Sequence, residues 1–170
     1  MFVDKTIYTY LNALQDSRRD AILGFHEEFK DKIYTAKGSS YNHQAWPGGY
    51  ADHIADAFRI CEVLCSHLPK IRPVNVNFES ALIVIYFHDI EKMWKYTDGT
   101  LIDKEKWYNE YLPARGITFT EEELNALRYT HGEVDDYRKD ARVMNQLAAV
   151  CHAADNVSAR LWFDDGKGLG

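Results

Sequence analysis

An all-α fold is what this sequence predicts, on three observations. The apolar positions Ile54, Ala57, Phe58, Cys61, Leu64 and Cys65 keep the three- and four-residue spacing of an amphipathic helix face. The apolar run Ala81–Phe87 continues unbroken through His88 to Trp94, which favours a buried helix over a buried strand. Thr120 and Glu123 stand at the spacing of a capping box ahead of a segment that ends near Thr130.

The remaining elements follow in order. An opening helix spans Asp4 to Leu14, and a second runs from about Ser17 to Thr35, where Ser17 and Asp20 give an S-x-x-D start. Lys37 to Gly49, rich in Gly, Ser, Asn and Pro, reads as a loop. Pro47-Gly48-Gly49 then opens a helix that reaches about Leu68 and is ended by Pro69 and Pro73. The buried helix Phe78 to Trp94 comes next, then a loop around Thr97 to Thr100 and a short helix from about Asp103 to Leu112. Gly132 stops the capped helix. A last helix covers about Asp140 to Trp162, and Asp164 to Gly170 reads as a loose tail. No repeat, low-complexity stretch or long linker divides the chain. One domain over 1–170 is therefore expected, with a core of about 42–160 and the helices of 1–36 packed on it.

Composition narrows the function classes. With 46% hydrophobic and 27% charged residues over 170 positions, the chain is globular and not disordered. Folding should remove about 70% of the unfolded accessible surface, enough for a core without disulfides. Twenty Lys and Arg against 26 Asp and Glu give a net charge of −6, so no global footprint for duplex nucleic acid is present. The longest apolar run is too short to span a bilayer, and no basic and apolar leader opens the chain. A cytoplasmic protein is expected, in the host cytoplasm if the chain is viral, with a homo-oligomer left open. Cys61, Cys65 and Cys151 form no C-x-x-C pair and read as reduced core thiols.

Of seven histidines, His88 matters most, because Asp89 follows it directly inside an apolar helix. Burying an imidazole beside a carboxylate costs several kcal/mol unless both are compensated, and a divalent metal compensates both. His53, four residues into the Gly-Gly helix start, and Asp155, one turn after His152, put metal-type ligands on two further apolar helix faces. Helix bundles build metal sites from facing side chains in this way. His26 and His67 are expected on solvated surface, the first on a helix face and the second at a helix end.

At these residues the chain resembles the HD-domain metal-dependent phosphohydrolases. Trp46-Pro-Gly-Gly-Tyr-Ala-Asp-His53 is similar to the family's Y-P-G-G-L-x-x-H, and Phe87-His-Asp-Ile-Glu-Lys92 to its H-D-I-G-K. Tyr129-Thr-His-Gly132 resembles the H-H-G segment, and His152-Ala-Ala-Asp155 resembles H-x-A-D. The four segments keep the family's order over about 42–160. In wording the chain is most similar to the HD module of certain 3′-to-5′ exoribonucleases and to small phage-type HD proteins.

The resemblance implies an HD-domain helical bundle that binds a divalent transition metal (Mn, Co, Ni, Zn or Fe) through His53, His88, Asp89 and Asp155. It implies a phosphohydrolase in which metal-bound hydroxide attacks phosphorus of a nucleotide or similar small phosphoester. Family members with two metals carry a further His, yet there is no histidine between Ile90 and Thr130, and Thr130 replaces one His of H-H-G. One firm site is expected, with a weaker second on Asp89 and His131. Asp89 would both ligate the metal and orient water. Lys92, one turn beyond His88, is either a phosphate contact or an ordinary solvent-facing lysine. His131 is a candidate proton donor to the leaving oxygen, with a structural helix-end histidine as its alternative. Trp46 and Tyr50 are candidates for stacking on a base, or core aromatics. His152 is a candidate support for the ligands, and Glu91, where the family has Gly, reads as a surface change. Other functions in view are a phosphodiesterase on short oligonucleotides or cyclic nucleotides, a di-iron oxygenase of the HD type, and a non-catalytic nucleotide-binding module.

Overall fold

The computed structural model of the protein describes residues 6–161, and every regular element among them is a helix, with no strand. The helices are α1 (Thr6–Ala13), α2 (Arg19–Thr35), α3 (Gly49–Ile71), α4 (Phe78–Phe87), α5 (Lys92–Lys95), α6 (Lys104–Lys106), α7 (Glu121–Tyr129) and α8 (Gln146–Leu161). A π-helical turn, Trp107–Tyr111, continues α6, and a 3-10 turn, Pro113–Arg115, follows it. Among the described residues no helix is long and apolar enough to cross a membrane.

α4 is the axis of the bundle. It packs on α3, α7 and α8, and the rings of Phe25 and His26 on α2 reach Phe87 and Tyr86. Every residue from Ala81 to Phe87 is therefore buried, which is why this helix is apolar all round. α1 and α2 pack on the outside of α3. The helix pairs α3–α8 and α7–α8 complete the layer around α4.

Helix ends show which local signals sufficed. Thr120 accepts the Glu123 amide while Glu123 accepts the Thr120 amide, the full capping box expected of α7. Ser17 does not cap α2. Helix α2 opens at Arg19, and Asp16 takes the Arg18 amide at 2.8 Å. Met1–Lys5, and with them the expected start of the first helix at Asp4, lie outside the described residues, as do Trp162 and the tail at Asp164 to Gly170. Pro69 does not end α3. It sits in the exposed last turn, where losing one amide costs little, and Pro73 instead forces Arg72 into an extended conformation. The last helix begins at Gln146 and not Asp140, because Asn125 of α7 holds Val143 O and the Asn145 amide, and Asn145 then caps the Ala148 amide at 2.7 Å.

The loop before α3 depends on its glycines. Gly48 sits at φ +84°, and a Cβ on Gly49 would fall 1.9 Å from Gln44 O. Only glycine tolerates both conditions.

The expected single helix Phe78–Trp94 breaks at His88. Carbonyls that should accept amides four residues on are held by side chains instead: Ile85 O by His88 Nδ1 at 2.7 Å, Phe87 O by Tyr108 Oη at 2.8 Å, and His88 O by Lys104 Nζ at 3.1 Å. The chain tightens through Ile90 N to Phe87 O and Lys92 N to Asp89 O before α5 resumes. This overwound turn carries the His88-Asp89 pair.

Candidate metal centre

Three helices converge on one point. His53 comes from the first turns of α3, His88 and Asp89 from the turn after α4, and Asp155 from the middle of α8. One ligand atom from each lies within 4.8 Å of the others, and His53, His88 and Asp89 are buried. Asp155 Oδ1 is 3.1 Å from His53 Nε2 and 3.3 Å from His88 Nε2; Asp89 Oδ2 is 3.2 Å from His88 Nε2 and 3.8 Å from His53 Nε2.

Tautomers follow from the partners. Ser158 Oγ donates to His53 O at 3.2 Å, so His53 Nδ1 donates to Ser158 Oγ at 2.9 Å. His88 Nδ1 donates to Ile85 O, which can only accept. Each ring thereby turns Nε2 inward, and neither Nε2 has a hydrogen-bond partner. Two buried, unpartnered imidazole nitrogens facing two carboxylates form a donor set that could hold a divalent metal. Adjacent ligands bound at about 2.0–2.1 Å in tetrahedral or octahedral geometry stand about 2.8–3.4 Å apart; three of the four spacings fall in that range, and His53 Nε2 to Asp89 Oδ2 at 3.8 Å is wider.

Electrostatics point the same way. Burial drives the His53 pKa down to about 4. Burial opposes charge on His88 as well, but Asp89 and Asp155 outweigh it and hold its pKa at about 10. Burial also works against both carboxylates, yet His88 and Lys92 hold Asp89, and His53 and His88 hold Asp155, below the carboxylate range. Two carboxylates here demand a cation: a proton on His88 in the metal-free chain, or a metal.

Above Asp155 opens a cleft of about 270 Å³, walled by His43, Lys92, His131, His152 and Arg160. Lys92 is not a solvent-facing lysine: its side chain is 15% exposed and its ammonium is ion-paired with Asp89 Oδ2, though without the alignment of a hydrogen bond. His131 is half exposed, with Nε2 3.2 Å from Asp89 Oδ1. It is not part of the four-residue set, so the second, weaker site has Asp89 and His131 in reach of each other and nothing further among the described residues. His152 Nδ1 donates to Thr130 O at 2.7 Å and supports the cleft wall, not the ligands.

Several expectations are corrected. Tyr50 is buried and its hydroxyl faces Tyr86 O, leaving no face for a base. Trp46 donates to Asp52 at 2.7 Å and is not in the cleft wall. His26 is buried, bonded to Tyr86 Oη at 3.0 Å, because both α1 and α4 cover that side of α2. Glu91 is half-buried, its Oε2 shut from solvent and 3.6 Å from Lys104 Nζ. His67 is exposed, as expected. Cys61 and Cys151 are buried free thiols and Cys65 is half-buried. The sequence reading missed Ser158, although it lies one turn beyond Asp155 on the same face of α8. It also missed Tyr108 and Lys104, for which no local signal existed.

Comparison with protein-family models, with curated proteins and with solved structures found no match.

Proposed function

We propose that the protein is a metal-dependent phosphohydrolase acting on a nucleotide or similar small phosphoester. One observation carries the reading: the inward, unpartnered Nε2 atoms of His53 and His88 meet Asp89 and Asp155, and Asp155 also lines a cleft that bears Lys92 and Arg160. With a divalent metal offsetting Asp89 and Asp155, Lys92 and Arg160 would leave the cleft favourable to an anionic ligand in a chain of net charge −6. The likeness of four ordered segments to the HD phosphohydrolases adds to it.

When bound, a divalent metal supplies Lewis-acid polarisation and water of lowered pKa. The chain's own residues do the rest. Lys92 offers its ammonium to a phosphoryl oxygen, and Asp89 Oδ1 orients the His131 ring from below. His131, half exposed on the wall, passes a proton to the leaving oxygen. Arg160 widens the cationic rim.

Screening against nucleoside mono-, di- and triphosphates, dinucleotides and cyclic nucleotides, metal by metal, tests this reading. Release of phosphate that is lost in Asp89→Ala is the expected result, and no turnover of any of them by metal-loaded protein overturns it. Lys92→Ala should keep its metal yet lose about 10- to 100-fold in phosphate release, the worth of a charged hydrogen bond. His131→Ala should lose about 10²- to 10⁴-fold on alkoxide leaving groups and far less on p-nitrophenolate, which needs no proton. Equal loss on both, with metal gone, would make His131 a ligand.

A further inference from the structure

A second cleft, of about 390 Å³, adjoins the first and shares His131 with it. Tyr108, Leu124 and Leu127 give it an apolar part, while Lys104, Glu105, Asn109 and Arg128 supply polar and charged groups. We infer that this cleft is the leaving-group subsite, and that it takes a heteroaromatic moiety of nucleoside size. The inference rests on the phosphohydrolase reading and deepens it.

Three features carry it. First, the residue common to the two linings is His131, to which the proposed function gives the proton for the leaving oxygen. An ester whose phosphate lies beside Lys92 and whose organic part passes His131 must continue into the second cleft. Second, the two linings differ in kind. Apart from Ala159 the first is lined by polar and charged side chains; the second sets two leucines and a tyrosine ring among Lys104, Glu105, Asn109 and Arg128, and its volume falls in the range of about 300–1,000 Å³ usual for small-molecule sites. Third, the carboxamide of Asn109 and the carboxylate of Glu105 together present donors and acceptors, which suits the edge of a base better than a plain hydrocarbon.

Tyr108 and Lys104 are poor probes, because they also hold Phe87 O and His88 O and with them the ligand turn. Leu124, half-buried on α7, and exposed Asn109 have no such duty. The test is a titration of the zinc-loaded full chain with ribonucleoside 5′-monophosphates, with adenosine and with inorganic phosphate, read by methyl NMR. The monophosphates should move the Leu124 and Leu127 methyls, and inorganic phosphate should not. Leu124→Trp should weaken monophosphate binding by about tenfold or more, and Asn109→Ala by about three- to tenfold, the loss of one hydrogen bond, with inorganic phosphate binding unchanged. Monophosphate binding that leaves both methyls still, and both variants unaffected, overturns the subsite and spares the phosphohydrolase reading. Adenosine moving the methyls while no phosphate species binds overturns the phosphohydrolase reading and the leaving-group role with it.

Discussion

Stripping divalent metal from the protein is expected to lower its melting temperature by about 10 °C, and returning the metal to restore it. A ligand present at about 1,000 times its Kd stabilises the folded state by about 4 kcal/mol. For a chain of this size each kcal/mol moves the midpoint by about 2–4 °C. The metal-free chain should still fold, because Lys92 and a proton on His88 offset the charges of Asp89 and Asp155. It loses the binding free energy alone. Wild type should carry about one equivalent of metal, as four ligands at one point imply. Asp89→Ala should carry under about a tenth of that, and its melting point should no longer respond to metal. Elemental analysis and thermal melts check both. An unchanged melt after verified metal loss removes the buried metal centre.

Replacing Arg18 by Ala should cost about 3–5 kcal/mol, although the residue lies far from the candidate site in sequence. All five guanidinium protons are used: on Asp16 Oδ1 and Oδ2, on Glu123 Oε1 and Oε2, and on Thr118 O. The Glu123 side chain is 0% exposed, so the truncation leaves a buried carboxylate with only the Thr120 amide and the Ser80 side chain. Urea denaturation measures the loss, and Arg18→Met with Glu123→Met should recover part of it by removing both charges. The pH dependence has a definite sign. Burial raises the Glu123 pKa, but Arg18 and the Thr120 amide outweigh it, and the net value lies below the ordinary 4.5. The folded state then binds fewer protons at this group than the unfolded chain. Its contribution is complete above about pH 4.5 and drains away as pH falls through the folded value. The Arg18 hydrogen bonds lower Asp16 likewise, from an ordinary 3.8. In Arg18→Ala the buried Glu123 prefers its proton, so the gap from wild type should be widest at neutral pH and narrow in acid. A loss independent of pH would show that packing, not charge, holds this corner.

Much of the candidate site was legible from the chain alone, and the reason is local. Asp89 beside His88 in an apolar run is costly without a cation, wherever the run ends up. Asp155 and His53 lie on helix faces whose three- and four-residue spacing already turns them inward. The capping box of α7 closes within four residues and needs nothing from elsewhere.

What misled the reading were partners far away in sequence. His26 lies among charged residues on α2, yet Tyr86, sixty residues on, covers it and takes its Nδ1. Tyr50 could stack on a base as far as its neighbours show, but the closure of α3 on α4 buries it.

By itself, then, the sequence determined helices, their period and the ligand types on them, because those are set by contacts within one or two turns. Only the tertiary structure decided where α4 stops, which nitrogen of each histidine faces inward, and which aromatic rings remain free. Each of these depends on a group brought in from another helix: Tyr108 and Lys104 on the carbonyls of Phe87 and His88, and Ser158 on His53. No spacing along the chain encodes such a meeting; it exists only once the bundle has closed.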